Sequence, residues 1–209
     1  MQPMVITVAQ QKGGAGKTTL AASLAAAYAA TKRVALVDID PQRSLTRWHA
    51  LRAKRPNAPA ITLAEIAGWR LASEIGKLRR GNDIIIIDSP PQIDTDARQA
   101  VRHADLVLVP MQPSPPDLWA AEGTFELARA EKRRLAIVLN RAPAAGRLRA
   151  AVEAELASGK HHLLPTALGN RTGFATAFAQ GLGVTETAPK SRAADELRAL
   201  IADIEAFIA

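Results

Sequence analysis

Residues 84–87 are four isoleucines in succession, and they set the strongest limit on how this chain folds. Isoleucine is branched at Cβ and favours extended backbone. A run of it without polar alternation puts apolar groups on both faces of a strand, which belongs inside a sheet covered on both sides. The rest of the chain keeps the same rhythm. Short apolar stretches at 5–9, 34–37, 106–109 and 136–139 alternate with helical segments, including the alanine-rich run 17–30 and a last helix over 193–208. A further strand is expected near 162–167, and the prolines of 52–60 and 111–117 predict loops. The expected fold class is α/β, a mostly parallel twisted sheet with helices on both faces. No repeat or long linker divides the 209 residues, which read as a single domain.

The first strand runs into Gln11-Lys12-Gly13-Gly14-Ala15-Gly16-Lys17-Thr18-Thr19, and a helix follows. Gly13, Gly14 and Gly16 permit positive φ and close backbone approach. Around Ala15 their N–H groups can turn inward about an anion, with a helix N-terminus aimed at the same point. In such a phosphate loop Lys17 reaches the β- and γ-phosphates. The Thr18 hydroxyl binds Mg²⁺, and Thr19 helps hold the α-phosphate. The pattern G-x-x-x-x-G-K-[ST] is nevertheless broken, because position 11 is glutamine. In exchange the loop carries a second lysine, Lys12. One nucleotide already has backbone N–H groups, Lys17 and a helix end to neutralise it. Lys12 therefore suits a second nucleotide held by a second subunit, where it would stabilise spreading negative charge as an arginine finger does.

Three acids follow strands. Asp88 closes the isoleucine run and fits the residue that positions Mg²⁺, usually through water. Asp38 and Asp40 close the second strand at i and i+2, on the same side of it. One of them could orient an attacking water, although both also fit a turn leading into Pro41.

Composition narrows the chemistry. The absence of cysteine rules out disulfides, thiolate metal sites and cysteine-ligated clusters. The formal net charge of +7 makes polyanions suitable partners. Lys132, Arg133, Arg134, Arg147, Arg149, Lys160, Lys190 and Arg192 are the available cations. No apolar run approaches the roughly 18 residues of a membrane span. The last helix sets Asp195, Glu196, Asp203 and Glu205 against Arg198, which an anionic membrane would repel. Its Leu197, Leu200, Ile201, Ile204 and Ile208 recur at helical spacing and are expected in the core. Trp48, Trp69 and Trp119 suit either core or interface, and His161 and His162 read as a solvated pair.

The motifs at 12–19 (KGGAGKTT), 38–42 (DIDPQ) and 84–91 (IIIIDSPP), with the tail 184–204, together resemble the ParA/MinD group of deviant Walker A P-loop ATPases. The short ParA-type, ParF-like partition ATPases are most similar, over the chain from Met4 to the last helix. The resemblance implies that Lys12 is the signature lysine, crossing an ATP-sandwich homodimer to the partner's phosphates. It implies a hydrolytic role for Asp40 supported by Asp38, a Walker B role for Asp88, and reading of the adenine edge by Asn140. Gln10 stands where many relatives have asparagine. ATP, ADP and Mg²⁺ would be the cofactors. The expected partners are nonspecific DNA and a ParB/ParG-like or cargo adaptor, with no membrane and a cytoplasmic, nucleoid-associated location. No operator-binding domain is expected ahead of the first strand. The implied function is positioning of DNA or protein cargo by a dimerising ATPase. An ATP-dependent ligase related to dethiobiotin or cobyrinate synthesis, or a regulatory protein with vestigial hydrolysis, would share the loop.

Overall fold

A computed structural model describes residues 3–66, 70–92 and 94–209. Its six strands are β1 (Met4–Val8), β2 (Val34–Asp38), β3 (Thr62–Glu65), β4 (Ile84–Asp88), β5 (Leu106–Met111) and β6 (Arg134–Leu139). They lie side by side in the order β3-β2-β4-β1-β5-β6, every pairing parallel. The helices are α1 (Lys17–Tyr28), α2 (Ser44–Arg52), α3 (Leu71–Leu78), α4 (Thr95–Arg102), α5 (Pro115–Ala130), α6 (Arg147–Ser158), α7 (Thr172–Ala179), α8 (Val184–Thr187) and α9 (Arg192–Ile208).

The four isoleucines are each 2 % exposed or less and divide between the two faces of β4. Ile84 and Ile86 join the core built on α1, α2, α8 and α9, whereas Ile85 and Ile87 join the one under α3 and α4. A third cluster packs α5 and α6 against β5 and β6. Each fully buried isoleucine contributes about 1.5–3 kcal/mol relative to exposure. In α9, Leu197, Leu200 and Ile204 are fully buried, and Ile201 and Ile208 pack beside them, as the spacing predicts.

A second buried element is polar. The Arg52 side chain, 3 % exposed, donates to both carboxylate oxygens of Glu186 at 2.7 and 2.9 Å. It also donates to the Pro59 carbonyl at 2.9 and 3.2 Å and to Gly181 O at 3.4 Å. Its guanidinium lies 5.4 Å from the buried Trp48 ring. Gly181 sits at φ +72, and a Cβ there would lie 2.3 Å from Arg52 N, so only glycine lets this turn close on α2. The cluster fastens α2 to α8 across the sequence.

Sequence and structure differ at several points. β3 is an edge strand that the apolar pattern does not announce, because Thr62 and Glu65 face solvent. The prolines of 111–117 do not extend a loop. Met111 ends β5, and Ser114 caps α5, whose first two positions are Pro115 and Pro116. Proline is suited there, since those N–H groups have no helical acceptor. Segment 162–167 forms a strap rather than a strand, bridged singly to β6 at Ile137–Leu163. Pro165 interrupts it, having no N–H to donate. His161 and His162 are not simply solvated, because their rings lie 4.4 and 4.0 Å from those of Phe125 and Phe207. Trp48 is core and Trp119 is 63 % exposed, while Trp69 lies outside the described residues.

Candidate nucleotide-binding site

The parallel sheet brings the loops after β1, β2, β4, β5 and β6 to its carboxyl edge, where open α/β sheets take their ligands. Register sets the acids level, since Asp88 pairs with Val8 of β1 and with Asp38 of β2. Gly14 (φ +79) and Gly16 (φ +92) turn the loop in the left-handed region. Gly16 is also the N-cap of α1 and offers no side chain to its first N–H groups. They remain open to an anion. A Cβ on Gly13 or Gly14 would meet nothing within 4 Å, so the loop fronts open space.

Lys17 is buried at the helix start, and burial lowers its pKa against the opposing pull of Asp88 and Asp40. Its Nζ donates to the Lys12 carbonyl at 3.5 Å, a long bond for a buried cation. Asp88 is fully buried, and among the described residues neither carboxylate oxygen has a hydrogen-bond partner within bonding distance. Burial pushes its pKa up to about 7. The Thr18 hydroxyl and Lys17 pull it down, whereas Asp38 and Asp40 push it further up. A buried, unpaired carboxylate is costly unless a cation meets it. Its oxygens together with the Thr18 hydroxyl are hard ligands of the kind Mg²⁺ takes. Among the described residues no three His, Cys, Asp or Glu side chains are grouped to hold a metal alone. Mg²⁺ fits this arrangement, because it draws most of its ligands from water and phosphate.

Asp38 and Asp40 part company. Asp38 is buried and accepts hydrogen bonds from Asp40 N (3.1 Å), Thr46 N (2.8 Å) and the Thr46 hydroxyl (2.8 Å). It anchors the loop. Asp40 is half-buried and lines a cleft of about 210 Å³ together with Gly13, Gly14, residues 16–19, Gln42 and Arg141. Of the two aspartates, Asp40 is the one that lines this cleft.

On the other side of the loop a cleft of about 220 Å³ is lined by Gly16, Thr19, Asn140, Asn170, Arg171 and Phe174, among others. Asn140 donates from Nδ2 to Ala15 O at 2.8 Å, while its Oδ1 accepts from Arg141 N at 3.0 Å. It ties the end of β6 to the phosphate loop. Further polar lining includes Asn170 and Arg171, on the strap before α7, which sequence reading missed because no motif marks them.

Lys12 is half-exposed and its Nζ lies 2.6 Å from Asp117 Oδ2 on α5, a carboxylate only 2 % exposed. Sequence reading missed Asp117 too, since the two residues are 105 positions apart. The candidate DNA-binding cations do not form one cluster. Lys132, Arg133 and Arg134 lie at the start of β6, while Arg147 and Arg149 open α6, after the loop that leaves the far end of β6. Arg149 is engaged by Glu153 and by the Pro143 and Ala144 carbonyls.

The family profile described as the CobQ/CobB/MinD/ParA nucleotide binding domain matches residues 6–184. The maintenance of carboxysome distribution protein A of Halothiobacillus neapolitanus is 28 % identical over 95 % of each chain. The chromosome-partitioning ATPase Soj of Thermus thermophilus is 30 % identical over 97 % of this chain and 96 % of its own. Among solved structures, the ATP complex of a Cyanothece McdA variant superposes with a TM-score of 0.77 at 18 % identity. It covers 99 % of this chain and 96 % of that one, and shows the shared fold.

Proposed function

The chain belongs to the CobQ/CobB/MinD/ParA nucleotide-binding family, and from that premise we propose a dimerising ATPase that positions DNA or protein cargo. It is an ATPase of the ParA/MinD kind, working with ATP, ADP and Mg²⁺. The observation that carries the reading is the pair of buried charges at the loop. Among the described residues Asp88 has no partner, and Lys17 has only a long bond to a carbonyl, both beside an uncapped helix N-terminus. Such a site is complete only with an anion and a cation in it.

In this reading Lys17 and the N–H groups of 13–19 hold the phosphates. Thr18 and Asp88 would hold Mg²⁺, which would supply positive charge beside the phosphates. Asp40, lining the cleft, orients the attacking water, and Asp38 fixes Asp40. Asn140 shapes the loop on the side where a base would lie. Lys12 extends to the partner's phosphates. Trp119, two residues beyond Asp117 on α5, stands 63 % exposed. Exposed tryptophans are favoured anchors of protein interfaces, and here the interface would be a second copy of the chain.

The track would be DNA of arbitrary sequence, and an adaptor would stimulate hydrolysis. The two relatives point to the two cargo classes, a protein compartment and a chromosome. No helix among the described residues is long and apolar enough to cross a membrane.

The test is light scattering with ATP and ADP on wild type and Lys12→Ala. The wild type dimerises with ATP, whereas Lys12→Ala binds nucleotide but stays monomeric. An undiminished ATP dimer in Lys12→Ala would remove the trans role. DNA of unrelated sequences should stimulate hydrolysis equally, with retention falling steeply with salt. Activity confined to a small carboxylic acid substrate would replace this reading with a ligase.

A further inference from the structure

We propose that Asp117 is a positioning residue that holds Lys12 at rest within its own subunit and thereby sets how much nucleotide charge is needed to dimerise. The inference rests on the trans role of Lys12 given above.

Lys12 Nζ and Asp117 Oδ2 are 2.6 Å apart. Asp117 is the third residue of α5, where a carboxylate also serves the helix end. The Ser114 hydroxyl donates to the same oxygen at 2.5 Å, and Gln112 N approaches Oδ1 at 3.4 Å. Asp117 N in turn donates to Ser114 Oγ at 3.3 Å. The carboxylate is thus supported by its own turn and does not depend on Lys12 alone. The lysine is the replaceable partner, being 38 % exposed while the carboxylate is 2 % exposed.

Two anions therefore compete for one ammonium. Within the monomer it is Asp117, and across the interface it is the partner's phosphates. A triphosphate carries more charge than a diphosphate, so it competes better against a fixed carboxylate. The Lys17 bond to the Lys12 carbonyl couples the two lysines through one loop. A phosphate that draws Lys17 forward removes a contact from the residue that must be released. Asp117 thus sets a threshold that the partner's phosphates must exceed before the lysine crosses.

Asp117→Asn keeps the shape of the side chain and an acceptor for Ser114 but removes the charge. Sedimentation should show dimers at a nucleotide or protein concentration about five-fold lower per protomer, the scale of a half-exposed ion pair. Because the lost contact is common to both nucleotides, the ATP- and ADP-driven dimerisation constants should shift by the same factor. In a Lys12→Ala background the same substitution should change nothing, because Asp117 acts through the lysine. Asp117→Ser, which retains a capping hydroxyl, should reproduce the shift even if the asparagine variant folds poorly. An unchanged concentration dependence in both folded variants would overturn the proposal, as would a shift that persists without Lys12. If Lys12→Ala itself dimerises normally with ATP, the trans reading has failed. If it does not, and the Asp117 variants match wild type, the trans reading stands and the positioning role of Asp117 has failed.

Discussion

Arg52 and Asp88 are both buried charges in one small domain, and their surroundings are opposite. Arg52 spends its donors on Glu186, Pro59 and Gly181 and lies against the Trp48 ring. Asp88 has no hydrogen bond to either oxygen among the described residues, and its neighbour Lys17 has one at 3.5 Å. A protein interior tolerates a charge when its bonding capacity is filled. The Arg52 cluster is filled by the chain itself, so its energy goes into joining α2 to α8. The Asp88 carboxylate is left unfilled, so folding carries a cost there that a bound cation would offset in the proposed reading. The contrast separates a charge that holds the fold from one that the fold leaves unsatisfied.

The comparison can be broken by substitution. The largest effect is expected from Lys17→Ala, which should reduce hydrolysis by about 10²-fold or more and weaken nucleotide binding in calorimetry. It should not lower the stability of the nucleotide-free protein. A variant that still hydrolyses ATP normally would place the phosphates elsewhere. Next is Arg52→Met, which strands Glu186. Chemical denaturation should show a loss of about 3–5 kcal/mol, with unchanged nucleotide affinity in the fraction that remains folded. A loss under 1 kcal/mol would mean that the five contacts are not the tie they look to be.

The pH dependence of Asp88 comes third. Its pKa rises from 3.8 to about 7 on folding, mainly through burial. Between those values the folded state keeps a proton that the unfolded chain has lost. The contribution of this group to stability therefore falls as pH rises through that window, by up to about 1.4 kcal/mol per pH unit. Denaturation of nucleotide-free wild type and Asp88→Asn at pH 5, 6 and 7 isolates it, since the variant should lack this slope. The same slope in both proteins would show that Asp88 is not the group responsible. The smallest effect is expected at an exposed pair. Lys32 and Glu205 are 2.6 Å apart but 37 % and 44 % exposed, and Lys32→Ala should cost less than about 1 kcal/mol. A larger loss there would blur the distinction that burial makes.

Much of this architecture is legible in the residues. The isoleucines at 84–87 announce a central strand, and glycines followed by Lys17 and Thr18 announce a loop for phosphate, because both patterns are local. The less legible parts depend on distant partners. Nothing near Lys12 in sequence reveals Asp117, and nothing near Asp38 shows that Thr46 occupies its carboxylate while Asp40 stays at the cleft. Alternation along a strand places both aspartates on one side, but it does not say which of them finds a donor. Pro115 and Pro116 mislead in another way, since the same residue type breaks a helix interior and begins a helix well. The helix reading needs Ser114 as cap, and that becomes clear only once the hydroxyl and Asp117 N are seen together.

The strap after α6 has a consequence beyond the nucleotide. It accepts from and donates to Ile137, and its Leu168 N bonds to Leu139 O, so it occupies the outer edge of β6 from Ile137 onward. Pro165 leaves this strap unable to continue as a pairing strand. At the opposite border β3 is four residues long and turns Thr62 and Glu65 to solvent. Both borders of the sheet are thus poor templates for another chain's backbone. The chain is thereby shielded from cross-strand aggregation. Contacts between copies are left to side-chain surfaces rather than to open strand edges.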